Sequence, residues 1–195
     1  MDNVLTIAEE RLNLFAHMAN SACGLSLWCF GMKKQLYTCT CPAEKEFRLF
    51  LDLGQCLDYA IAHGPESHAP ILMSDPIGML WVAECVWHGD DASYLVILGP
   101  VFDAAASLQT LQNCLRGMNL SVSLTATIME KLEQVPILPL STLHQYIKML
   151  HWVLYEETLD VGSIRLQNRS NIIPDKEKSP YPWDPDLSLI HISEP

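Results

Sequence analysis

The stretch Ser93-Tyr94-Leu95-Val96-Ile97-Leu98-Gly99-Pro100-Val101-Phe102 decides the fold. Its apolar run from Tyr94 to Phe102 is far too short to span a bilayer, which needs about 18 to 20 residues, and its β-branched and aromatic residues read as a buried strand. Immediately before it, His88-Gly89-Asp90-Asp91 supplies a polar turn, and Met79 to Trp87 supplies a second strand of Trp, Val and Cys. A third strand, Ile71 to Ser74, precedes the turn Asp75-Pro76-Ile77-Gly78. Three successive strands joined by short turns predict an antiparallel sheet.

Outward toward the amino terminus, Gly24 to Phe30 and Gln35 to Cys39 read as a further hairpin around Gly31-Met32-Lys33-Lys34. Leu5, Ala8, Leu12, Phe15 and Ala19 recur at spacings of three and four, which predicts a helix over Val4 to Ala19. Phe47, Phe50, Leu51, Leu57 and Ile61 predict another from Pro42 to His63, stopped by Gly64-Pro65. Beyond the sheet, Asp103 is placed to cap a helix carrying Leu108, Leu111 and Leu115, and Ser121 or Ser123 one carrying Leu124, Ile128 and Leu132. Ser141 is placed to cap the last and longest. Along it Leu140, Leu143, Ile147, Leu150 and Leu154 form a heptad seam that could dock on the sheet or pair with a second copy. The expected architecture is α+β, a PAS- or GAF-like antiparallel sheet with helices packed on its faces and a long carboxyl-terminal helix.

Composition bounds the rest. Hydrophobic residues make up 49% and charged residues 18% of 195, a globular balance long enough for one full core. The net charge is -11, and residues 1–158 carry eight Lys or Arg against seventeen Asp or Glu. Such a surface repels phosphate, so the chain alone is not expected to bind nucleic acid. Seven cysteines, an odd count, with no basic leader after Met1 and no membrane-length run, point to reduced thiols in the cytoplasm.

No phosphate loop, dinucleotide-binding turn, nucleophile elbow or zinc helix occurs, so the chain is read as non-enzymatic, with no catalytic residue and no cofactor. Cys39, Cys41, His63, His68, Cys85 and His88 are soft donors, but Cys39-x-Cys41 is tighter than metal spacing and no second Cys pair answers it, so no metal is expected. Phe47, Trp81, Glu84, Tyr94 and Phe102 are the candidates to line a small-molecule pocket, Glu84 because a carboxylate inside an apolar strand needs a ligand or a buried donor. Leu143, Ile147, Leu150 and Leu154 are the candidate dimer contacts.

The segment Leu95 to Phe102, after the strand holding Leu80-Trp81, resembles the sensor region of AraC-type (AraC/XylS family) transcription regulators of Gram-positive bacteria. Tyr146 to Glu157, with Met149-Leu150-His151-Trp152, resembles the helix that leaves that sensor toward the DNA-binding half. The resemblance implies a dimeric cytoplasmic regulator. Its amino-terminal domain senses a small-molecule or protein signal, and two carboxyl-terminal helix-turn-helix units contact DNA. The expected organisation is a sensor and dimerisation domain over residues 1–160, a Pro-rich linker over 161–186, and a tail over 187–195. Leu187 to Pro195 resembles the translation of a sequencing adapter, and no basic helix-turn-helix stretch is present in which to name DNA contacts. The alternatives are a free-standing PAS- or GAF-like ligand-binding protein and a metal or thiol sensor.

Overall fold

The computed structural model describes residues 2–89, 91–105, 108–118 and 120–167, the side chains of residues 2–8 and 108 excepted. Strands β1 (Leu27–Gly31), β2 (Leu36–Cys39), β3 (Ile71–Ser74), β4 (Leu80–His88), β5 (Asp91–Val101) and β6 (Arg165–Leu166) form one sheet in the order β2-β1-β5-β4-β3-β6. The helices are α1 (Asp2–Cys23), α2 (Glu44–Leu53), α3 (Cys56–His63), α4 (Leu108–Gly117), α5 (Val122–Leu132) and α6 (Leu140–Tyr155). The fold is α+β. Its sheet is mixed rather than wholly antiparallel, because β6 runs parallel to β3 with Ile71 opposite Arg165.

Helices cover both faces of the sheet, and the alternation of side chains along each strand sorts the core into two layers. On β1, Trp28 and Phe30 face one layer with Trp81, Ala83, Leu95 and Ile97, beneath α2 to α5. Leu27 and Cys29 face the other with Val82, Val96 and Leu98, against α1 and α6. Burial on both sides explains why the stretch Leu95 to Val101 is apolar at every position instead of alternating.

Tight polar contacts close the first layer. Trp28 Nε1 donates to the Gly99 carbonyl at 2.8 Å, and Trp81 Nε1 donates to Asp75 Oδ2 at 3.0 Å. The other oxygen of buried Asp75 accepts the amides of Ile77 (3.1 Å) and Met79 (3.0 Å), so the turn between β3 and β4 is locked onto the Trp81 indole. Gly99 has φ +132°, and a Cβ there would lie 2.9 Å from the Leu80 carbonyl oxygen, so no other residue fits that crossing without displacement.

Several expectations change. The single helix from Pro42 to His63 is two helices, because Gln55 takes a left-handed φ of 51° where Gly54 approaches Asp75. Ser121 caps α5, accepting the Leu124 amide at 3.2 Å, whereas Asp103 lies well before α4, and the N-cap of α6 is Pro139 rather than Ser141. Nor does the last helix end the described chain. After the left-handed cap at Glu156 the backbone turns back through Val161–Ser163 into β6, and Arg165 donates to the carbonyls of His63 (2.8 Å) and Ala69 (3.1 Å). Residues 164–167, expected in the linker, thus join the edge of the sheet, while residues 168–186 of the linker and the 187–195 tail lie outside the described residues.

The heptad seam is corrected as well. Leu143, Ile147 and Leu150 are completely buried, and Leu154 is partly so, against Leu12, Phe15, Ala16 and Ala19 of α1 and against the sheet. A face already covered within one chain is not available to a second copy. Leu150→Ala should therefore cost about 2–5 kcal/mol of stability in urea unfolding, as a core cavity does, while Val122→Ala, at a position 88% exposed, should stay within about 0.5 kcal/mol. Equal effects would place α6 outside the core.

Candidate functional site

Side chains alternate along β4, so Trp81 and Glu84 face opposite ways. Trp81 lies in the first layer with Phe47 and Phe102, whereas Glu84 lies on the α1/α6 side with Val82 and half-buried Tyr94. The five residues expected to line one pocket are divided by the sheet and do not meet. Phe102 borders a cleft. That cleft, with Leu111, Met129, Leu132 and Val135 around it, encloses about 190 Å³. Sites for drug-sized ligands run from roughly 300 to 1,000 Å³, so it fits at most a small fragment.

What the structure places beside Glu84 is His151. The carboxylate stands opposite Val96 of β5, at the middle of the sheet, and is 1% exposed. His151 follows Leu143 and Ile147 on the buried stripe of α6 and is 5% exposed. Its Nδ1 is hydrogen-bonded to Glu84 Oε1, while Glu84 Oε2 is buried without a hydrogen-bond partner. Burial raises the Glu84 pKa above the ordinary carboxylate value, and the bond to His151 pulls against that rise.

A series of rings leads from this pair to the surface. One turn beyond His151, Tyr155 packs against it with centroids 4.9 Å apart and donates its hydroxyl to the Cys85 carbonyl. His68, exposed in the loop before β3, stacks on Tyr155 at 4.9 Å and on Trp87 at 5.2 Å. One strand, one loop and α6 therefore converge on a single buried proton position.

The chemistry available here is proton sharing. Among the described residues no hydroxyl or thiol is hydrogen-bonded to His151, and Cys85 points to the other face, toward Gly64. A nucleophile would need that contact. No three His, Cys, Asp or Glu side chains among the described residues are grouped to hold a metal ion. His63 instead contacts Glu66 at 2.8 Å.

Removing one partner should be far worse than removing both. His151→Leu leaves a buried, unpaired carboxylate and should cost about 3–5 kcal/mol, whereas Glu84→Leu/His151→Leu should lie close to wild type. Because the folded-state pKa of Glu84 is raised, its proton favours the fold below the ordinary carboxylate pKa, and that contribution is lost as pH rises through the folded value. Glu84→Gln should flatten that slope in unfolding measured across pH. Compared with family models, curated proteins and solved structures, the chain matches none.

Proposed function

We propose that the chain is the signal-sensing domain of an AraC-type transcription regulator in the cytoplasm, acting on DNA only through a helix-turn-helix region outside this sequence. The observation that carries the reading is the Glu84–His151 pair. It fastens α6 to the central strand through two ionisable groups, and α6 is the helix that the AraC resemblance makes the exit toward the DNA-binding half. Breaking such a pair costs about 3–5 kcal/mol, close to the roughly 5.5 kcal/mol that converts a 1:99 population into 99:1. A small molecule or protein that supplies a donor to Glu84 Oε2, or withdraws its proton, therefore has enough leverage to move the helix end.

No described helix is long and apolar enough to cross a membrane. The homodimer implied by the resemblance needs a face other than the buried seam. Leu14 and Met18 on α1, and Met149 and Trp152 on α6, are each 43% to 62% exposed and follow the same helix faces as Arg11 and Glu156, which are ion-paired to each other. We assign the second copy to that apolar stripe. By light scattering the wild type should be a dimer and Trp152→Glu a folded monomer; a monomeric wild type removes the dimer from the proposal.

The sensing role is tested by fusing the chain ahead of a helix-turn-helix module with a reporter. Alone, the chain should leave labelled DNA unshifted even at low salt, given its eight basic against seventeen acidic residues up to position 158. In the fusion, Glu84→Gln should change reporter output by about fivefold or more, the usual scale of coupling between sites. A salt-sensitive shift by the chain alone, or an output indifferent to Glu84→Gln, would overturn the reading.

A further inference from the structure

Cys39 ends β2, and Cys41 follows two residues later, ahead of α2. The residue between them is pinned: Thr40 N–H donates to the Leu27 carbonyl and Thr40 Oγ1 accepts the Leu27 amide, both at 2.9 Å. The two thiols therefore sit on a fixed piece of backbone. Cys41 N–H donates to Cys39 Sγ at 3.2 Å. Hydrogen bonding from the Cys39 thiol, the Ala43 amide and the hydroxyl of Ser26, itself only 4% exposed, lowers the pKa of the Cys41 thiol. Cys39 is partly exposed, and Cys41 directly behind it is 9% exposed.

We propose that Cys39 and Cys41 form a thiol–disulfide switch oxidised by a hydroperoxide. The Cys41 thiolate attacks the distal peroxide oxygen. An S–O bond forms, the O–O bond breaks, and the leaving oxygen takes a proton from solvent and departs as water or an alcohol. Cys39 sulfur then attacks Cys41 sulfur. The S–S bond forms as the S–O bond breaks, and the departing hydroxide takes the Cys39 proton to give water, so two thiols are oxidised and one peroxide bond is reduced.

The surroundings single out the nucleophile. The three donors bring the Cys41 thiol down to about 7, whereas burial pushes Cys29 and Cys85 up to about 11. Hydrogen-bond donation thus favours the thiolate at Cys41 while burial disfavours it at Cys29 and Cys85, and low-pKa thiols beside a resolving cysteine are the ones that oxidise. This site shares no residue with the Glu84–His151 pair and stands or falls separately from any role in transcription.

The test is peroxide treatment of the reduced full chain, followed by denaturation, alkylation with iodoacetamide and peptide mass mapping. Five of the seven thiols should alkylate, the missing two lying on the peptide that holds Cys39 and Cys41, and dithiothreitol should restore all seven. Cys41→Ser should abolish the loss, and Cys39→Ser should leave a sulfenic acid trapped by a cyclic diketone. The native wild type gives a second measure that needs no variant: at pH 7 Cys41 should alkylate at least about tenfold faster than Cys29 or Cys85. Seven alkylated thiols after peroxide, a bridge elsewhere, or equal native rates would overturn the proposal.

Discussion

Everything in this fold depends on β4 and β5 being covered on both faces. A sheet with one wet face can send its polar side chains outward, but a sheet between two helical layers must pair or exclude every polar group on it. The strands obey by being apolar nearly throughout, and most of the few polar groups they keep have dedicated partners, the Trp87 indole N–H at the outer end of β4 being an exception. Trp28 has the Gly99 carbonyl, Trp81 has Asp75, and Asp75 is further held by two amides. These neutral or fully satisfied contacts fix the layer beneath α2 to α5. Glu84 differs, since half of its carboxylate is satisfied and the other half is not.

That incompleteness falls on a carboxylate at the centre of the sheet, where an unpaired group is most costly. Replacing a buried ion pair with well-packed apolar residues is often neutral or stabilising, so the Glu84–His151 contact is poorly explained as a device for stability. Its position accounts for it better. The pair joins the middle of the sheet to the last helix, at the inner end of the rings of Tyr155, His68 and Trp87 that reach the surface. A change at exposed His68 is thereby two ring contacts from the proton that holds the helix.

Much of this was legible in the sequence, and what was not has identifiable causes. The strands and hairpins could be read because two-sided burial writes a continuous apolar run between turn residues. Glu84 stood out for the same reason, as a charge with nowhere to go. Its partner did not, although His151 lies four residues after Ile147 on an otherwise apolar stripe, and that spacing was the available signal. Grouping Trp81 with Glu84 and Tyr94 as one pocket overlooked the period of two, which places odd and even positions of β4 on opposite faces. The break at Gly54 and Gln55 was hidden because it follows from contact with Asp75, distant in sequence, and β6 because two residues with no apolar pattern carry no local signal. The seam on α6 was visible, but a heptad pattern is the same whether its partner is α1 or another chain.

The energetics limit how α6 could respond to a signal. Undocking the whole helix would expose Leu143, Ile147 and Leu150, each completely buried, at about 1.5–3 kcal/mol apiece. That sum approaches the total stability of an ordinary domain, so complete release amounts to unfolding. The end of the helix is held differently. Beyond Leu150 it is fastened by His151, by the Tyr155 hydroxyl on the Cys85 carbonyl, and by the exposed Arg11–Glu156 ion pair, which contributes about 1 kcal/mol or less. A change in the protonation or bonding of Glu84 therefore acts on the last turn of α6 while the preceding turns stay packed, and a displacement there is passed to the segment that turns back through Val161–Ser163 into β6.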